Sequence, residues 1–201
     1  MPVVPNAAAA GQAGALSAAR AASSIPIADP SAVPAHQQGV AGSSGGEQAV
    51  WMYPSEQQFY NAMARKGWEP SEGDMPAVVA IHNAVNERAW AHVQSWEALH
   101  ACDCPESKLL RFRGRPADYS PKARLLNLLG YKLPFDRHDW VVDRCGTEVR
   151  YVIDFYSGAP SAGVTASMHL DVRPALDSFG AAADRLRMQW RWAASGRWRD
   201  P

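Results

Sequence analysis

From Val149 to Tyr156 the chain alternates, with Val149, Tyr151, Ile153 and Phe155 on one side of a two-residue period and Arg150, Val152, Asp154 and Tyr156 on the other. That period predicts a strand with one buried face. Asp139 to Asp143 reads as its partner. The intervening Arg144-Cys145-Gly146-Thr147 carries the glycine that a tight connection requires, so the pair predicts a hairpin. Helical spacing replaces strand spacing elsewhere. Ser55 and Gln58 stand at capping-box separation ahead of the stripe Phe59, Ala62, Met63 and Lys66, and Gly67 closes that helix. Asp74 and Pro76 open a second helix through Val78, Val79, Ile81 and His82 toward Trp90, Val93, Trp96 and Leu99, with a break expected where Asn83 or Asn86 would start a new cap. Ser120-Pro121 starts a short helix whose Leu125, Leu126, Leu128 and Leu129 are expected in the core. Thr165 to Val172 predicts another strand, and Pro174 marks the start of a last helix running toward Trp192. The sum is an α+β domain, a small antiparallel sheet packed with helices.

Composition changes this picture mainly at the N-terminus. Met1 to about Glu47 is built from Ala, Gly, Ser, Pro and Val with almost no large apolar anchor, so residues 1–50 are expected to be a disordered segment and 51–201 one folded domain. Gly42 to Gly46 is glycine-rich but lacks a following lysine, so it reads as flexible chain rather than a phosphate loop. Only Arg20 is basic before position 50, which gives neither a secretory nor an organellar targeting signature. Lys plus Arg equals Asp plus Glu at 20 each, which removes the global basic field that gathers nucleic acid. The run from Arg185 to Trp192, continued by Arg197, Trp198 and Arg199, is basic and aromatic; it suits an interfacial helix on anionic lipid, a surface for an acidic ligand, or a solvated terminal helix with a buried Trp face. No run of apolar residues is long enough to span a bilayer, so membrane contact is expected to be peripheral. Cys102, Cys104 and Cys145 are too few for a disulfide framework, and Cys102-Asp103-Cys104 is a candidate redox or metal element.

The chemistry concentrates in two places. Leu133 to Tyr156 sets Asp136, Arg137, His138, Asp139, Asp143, Arg144, Glu148, Arg150 and Asp154 among aromatics, which implies a buried ion-pair network or a site for a charged ligand. His82 follows an apolar run and precedes Asn83, Asn86 and Glu87, a setting for a haem ligand or for a satisfied core histidine. His138, between Arg137 and Asp139, has the same two readings. No nucleophile elbow, phosphate-binding loop or His-Glu-x-x-His helix occurs, so hydrolase and nucleotide chemistry have no support.

Several long words then stand in one order: Tyr-Pro-Ser-Glu-Gln-Gln-Phe-Tyr-Asn-Ala-Met from Tyr53, Ile-His-Asn from Ile81 with Asn86-Glu87 and Trp90, Trp-Glu-Ala-Leu-His from Trp96, Tyr-Ser-Pro-Lys-Ala-Arg from Tyr119, the Leu133 to Tyr156 block, and Leu-Asp-Val-Arg-Pro-Ala-Leu-Asp-Ser from Leu170. In these the chain, from about Trp51 to Trp192, resembles the holocytochrome c synthases, the cytochrome c haem lyases of mitochondria. The resemblance implies a lyase that joins haem vinyl groups to the thiols of a Cys-x-x-Cys-His segment in apocytochrome c, with c1 left open as a second partner. It implies His82 as axial ligand to the iron of haem b, Trp51 and Tyr53 in the haem-binding region, His138 near the haem, and Glu87 and Arg144 as positions needed for function. Asn83 and Arg137 are read as supporting neighbours. It also implies the intermembrane space, at the surface of the inner membrane. Two other readings stand beside it: a haem carrier that makes no thioether, and a peripheral membrane scaffold. The Cys-Pro words of many family members are missing from the N-terminal segment, where only Cys104-Pro105 remains further along.

Overall fold

Among the described residues the strands and α-helices follow one another as β1 (Ala22–Pro26), β2 (Val50–Met52), α1 (Glu56–Arg65), α2 (Met75–Glu97), β3 (Lys108–Gly114), α3 (Pro121–Leu128), β4 (Asp136–Arg144), β5 (Thr147–Ser157), β6 (Met168–Pro174) and α4 (Phe179–Ala194). The computed structural model describes residues 5–9, 12–29, 31, 49–158 and 168–195. Helices beside two small antiparallel sheets make the α+β class expected of the sequence. The chain packs as two compact units, Met1–Trp90 and Ala91–Pro201. The residue step between them falls inside α2, where no change of composition marks it.

In the first unit β1 pairs antiparallel with β2, Ala22 facing Met52 and Pro26 facing Val50. The expectation of a disordered segment through residue 50 is therefore corrected for Ala22–Pro26. A short strand needs few apolar anchors when Ile25 is only 2% exposed and Ile27 also enters the core. The glycine run 42–46 lies outside the described residues. Helix α1 begins with the expected reciprocal cap, in which the Ser55 hydroxyl accepts from the Gln58 N–H and the Gln58 side chain accepts from the Ser55 N–H. Helix α2 runs unbroken through Asn83 and Asn86, contrary to the expected break. Asn86 satisfies itself within the helix, its amide donating to the His82 carbonyl at 2.8 Å, so no new cap forms.

The second unit is built on the sheet β3-β4-β5-β6, antiparallel throughout. The predicted hairpin is present, with Arg144 facing Thr147 across a two-residue turn. Cys145 and Gly146 both hold positive φ, 46° and 93°, as a turn matching the twist of its strands requires. Strand β3 carries no clean alternation and was not expected; a register shift between Leu109 and Arg111 interrupts its period. Residues 165–167 of the last predicted strand lie outside the described residues. The final helix starts after Ser178, not at Pro174, because Pro174 ends β6 and its carbonyl accepts from Arg185. Leu125, Leu128 and Leu129 of the α3 region, expected in the core, are 61%, 84% and 69% exposed, since Ala123 is the side chain that α3 buries. In α4 the buried positions are Ala181 and Asp184, while Leu186 and Trp190 are each 73% exposed; Arg197, Trp198 and Arg199 lie outside the described residues.

Strand alternation gives this sheet two different faces. Trp140, Val142, Tyr151, Ile153, Phe155, Leu170 and Val172 are buried on one, with Leu109 from β3. The other carries buried charge. Asp139 accepts from Arg137 at 3.0 and 3.1 Å, from Arg115 at 3.1 Å and from Arg150 at 3.0 Å. Asp154, wholly buried, accepts from the Arg173 guanidinium and from Ser120, each at 2.6 Å, and the same Ser120 hydroxyl caps α3. The ionic network left open by the sequence thus exists, and it ties α3 to the sheet.

Burial by itself would raise the Asp139 pKa, but the three guanidinium groups outweigh it and hold the carboxyl below its ordinary range. An unfolded aspartate titrates at about 3.9, so the stabilisation from this cluster is complete above about pH 5 and is lost as pH falls through the lower folded value. Urea midpoints measured between pH 5 and pH 2.5 are expected to fall steadily for the unsubstituted chain. Asp139→Asn is expected to start from a lower midpoint at pH 5 and to change less over the same interval.

Candidate functional site

In the first unit α2 presents His82 half-buried, next to Asn83 and one helical turn before Asn86. Its Nδ1 lies 3.2 Å from the Asn83 Oδ1, and the Asn86 amide nitrogen lies 3.2 Å from its Nε2. An amide oxygen only accepts and an amide N–H only donates, so both contacts are made by a single tautomer, with the proton on Nδ1 and the lone pair on Nε2. The imidazole is walled by Phe59, with ring centroids 5.1 Å apart and planes at 69°, and by Tyr53 at 6.1 Å and 84°. Edge-on rings of this kind fix the direction of the imidazole plane.

Tyr53 is held in turn. Its hydroxyl donates to Glu87 Oε1 at 3.0 Å, and Glu87 sits five residues after His82 on the same helix. Burial first, and then the hydrogen bond and charge of Glu87, push the Tyr53 pKa far above its ordinary value, so the hydroxyl keeps its proton and remains a donor. The structure therefore brings together Tyr53, His82, Asn83 and Glu87 from the expected set. Trp51 is buried in β2, two residues before Tyr53. Phe59 was read only as part of a helix stripe; its partnership with His82 depends on the angle between α1 and α2, for which the sequence has no signal.

The remaining expected residues belong to the second unit. His138 lies on the apolar face of β4, with its ring 5.1 Å from that of Phe155 and 6.4 Å from that of Phe112, and with Nε2 3.2 Å from an Asp136 carboxylate oxygen. Its Nδ1 is buried and has no hydrogen-bond partner among the described residues. It leans over Gly114 of β3, where a Cβ would stand 3.5 Å from the imidazole. Arg137, next in sequence, points to the opposite, charged face in its pair with Asp139. It does not share a site with His138. Arg144 lies six residues further along β4, roughly 20 Å at the rise of a strand. There it grips Glu97 through two 2.8 Å bonds, while Tyr151 donates to the same carboxylate and Asp184 lies 3.5 Å away.

The Cys102-Asp103-Cys104 element is not a metal site. Cys104 is bonded to Cys145, 41 residues on, and Cys102 is exposed and free. No cluster of His, Cys, Asp and Glu able to hold a metal ion occurs among the described residues. The bond ties the β4–β5 turn to the loop after α2, a juxtaposition that cysteine spacing could not reveal. Among the described residues no helix is long and apolar enough to cross a membrane.

Residues 1–190 fit the family model of the cytochrome c/c1 heme lyases, and the chain belongs to that family. Its relatives include the human holocytochrome c-type synthase, 47% identical over 187 residues that make up 90% of this chain and 63% of the relative. The Bos taurus holocytochrome c-type synthase is 52% identical over 72% of this chain and 55% of its own length. The Saccharomyces cerevisiae holocytochrome-c synthase is 42% identical over 68% of this chain and 60% of its own. The chain thus spans somewhat more than half the length of these relatives. No solved structure matches it.

Proposed function

We propose that this protein is a holocytochrome c synthase, which attaches haem b to apocytochrome c through thioether bonds at a Cys-x-x-Cys-His segment. The observation that carries the reading is the imidazole of His82, held between Asn83 and Asn86 and walled by the Tyr53 and Phe59 rings. Asn86 contacts its Nε2 lone pair now, and exchange of one weak hydrogen bond for a bond to iron is favourable. Haem is the substrate here, and His82 is its axial ligand on the enzyme side. The histidine of the incoming polypeptide takes the other face. Ligation from both sides sets each vinyl beside one thiol and converts an intermolecular addition into a positioned one.

In the addition the S–H proton and the sulfur are delivered across the vinyl double bond. A carbon–sulfur bond forms, the π bond breaks, and the proton goes to the terminal vinyl carbon, with no net oxidation or reduction. Thiolate character speeds the attack. Trp51 and Tyr53 belong to the haem-binding region in this reading, and His138, whose buried Nδ1 has no hydrogen-bond partner among the described residues, is kept as a further polar candidate. Asn83, Glu87, Arg137 and Arg144 support the fold of these sites. The protein works in the mitochondrial intermembrane space, peripheral to the inner membrane, where the exposed Leu186 and Trp190 of α4, beside Arg187 and Arg191, suit an anionic lipid surface. Cytochrome c1 is a further substrate consistent with the family description.

Co-expression with apocytochrome c and haem tests this. Haem that remains on the cytochrome after acid–acetone extraction is expected. Haem that is bound but wholly extractable would make the protein a carrier.

A further inference from the structure

The N-terminal strand, which the composition had assigned to disorder, reaches the His82 site through two side chains. The Ser24 backbone N–H donates to Glu87 Oε1 at 3.0 Å, and the Ser24 hydroxyl donates to Glu87 Oε2. The same Oε1 accepts the Tyr53 hydroxyl. Four residues before Ser24, the Arg20 guanidinium donates to the carbonyls of Tyr53 at 3.0 Å and of Met52 at 2.8 Å. The Tyr53 N–H in turn donates to the Ala21 carbonyl at 2.9 Å. Tyr53 is thus held at both ends by residues 20–24, at its backbone by Arg20 and Ala21 and at its hydroxyl by Ser24 acting through Glu87.

We propose that Ser24 is a positioning residue of the haem site: it locks the Glu87 carboxylate, which fixes the Tyr53 ring against His82 and so sets the imidazole plane that meets the iron. The inference rests on His82 being the ligand. Three donors, the Ser24 N–H and hydroxyl and the Tyr53 hydroxyl, restrict the Glu87 carboxylate. Remove the hydroxyl and one charge-assisted bond is lost, so Glu87 regains torsional freedom and Tyr53 with it. Ser24 bonds to Glu87, so its effect on the imidazole runs through Glu87 and Tyr53. Arg20, the single basic residue before position 50, serves the same ring from its backbone.

The test is titration of the full-length purified chain with haem, reading the low-spin absorption band, alongside far-UV circular dichroism. Ser24→Ala is expected to weaken haem binding about tenfold and to diminish the low-spin fraction of what remains bound, the usual scale for loss of a partner that orients a metal ligand. Ser24→Thr, which keeps the hydroxyl, is expected to restore both. In a Tyr53→Phe background Ser24→Ala should cost nothing further, because the path from Glu87 to the ring has already been cut. A merely structural serine would lower the melting temperature and leave the spectrum of the folded protein unchanged; that result, or an undiminished tenfold loss in the Tyr53→Phe background, overturns the inference. Should Ser24→Ala not fold, Glu87→Gln replaces it: a similar loss supports the coupling and an unchanged affinity overturns it. An unsubstituted chain that binds no low-spin haem overturns the His82 reading and this inference together, whereas normal binding with an indifferent Ser24→Ala overturns this inference alone.

Discussion

Replacing His82 with glycine or alanine is expected to abolish the low-spin haem spectrum of the purified protein and to lower covalent haem attachment in co-expression by roughly a hundredfold or more, the scale on which loss of a positioning contact acts. The side chain is half-buried and sits on the middle turns of a 23-residue helix, so its removal does not break the fold. Far-UV dichroism is expected to match that of the unsubstituted chain. The two neighbours that define its tautomer, Asn83 and Asn86, would remain in place around an empty position. Free imidazole fits that position in the glycine variant, and adding it should recover part of the low-spin band. A variant that keeps both its spectrum and its activity would move the ligand to another residue and remove the central support for the proposed function.

Arg144→Ala is expected to have the largest effect on stability. The guanidinium holds Glu97, which is 4% exposed, by two parallel 2.8 Å bonds, and Asp184, 3% exposed, lies 3.5 Å from it on the other side. His100 holds the far oxygen of Asp184 at 2.8 Å, and Tyr151, fully buried, donates its hydroxyl to Glu97. Burial would lower the arginine pKa, but the Glu97 carboxylate and then Tyr151 raise it above its ordinary value. Burial first, then the charge of Glu97, drives the Tyr151 pKa up, so the tyrosine keeps the proton it donates to Glu97. Taking away the cation leaves Glu97 buried without its counter-charge, which costs about 3–5 kcal/mol. For a protein of this size that lowers the melting temperature by roughly 10 °C or more, seen by thermal denaturation. Arg144→Lys keeps the charge but cannot form the fork, and is expected to fall between the two. If Arg144→Ala loses haem attachment while melting at the normal temperature, the residue acts on substrate and not on the fold.

The hairpin, the cap of α1 and the Ser120-Pro121 start of α3 were legible because each depends on residues within a few positions of one another. The same locality explains what was misread. Ala22–Pro26 looked like structureless chain because a window around it holds a single isoleucine pair; its partner strand lies more than twenty residues away. The leucines of α3 looked like core because helical spacing does not say whether anything covers the stripe. Cys104 looked like half of a local pair because its true partner, Cys145, is brought to it by the fold of the hairpin against the loop after α2. His82, Glu87 and Tyr53 were singled out by resemblance, but Phe59 and Ser24 were not, since neither carries a distinguishing chemistry of its own.

The sequence by itself determined the class of fold, the main helices and hairpin, and the family, because periodicity, caps and long shared words survive in one dimension. Only the tertiary structure decided which groups stand around His82 and that Asp139 and Asp154 each find arginine partners in a buried layer. Tyr53 and His82, or Asp154 and Arg173, are far apart in the chain, and packing together with the need to give each buried charge a partner sets their distances, which no local pattern encodes.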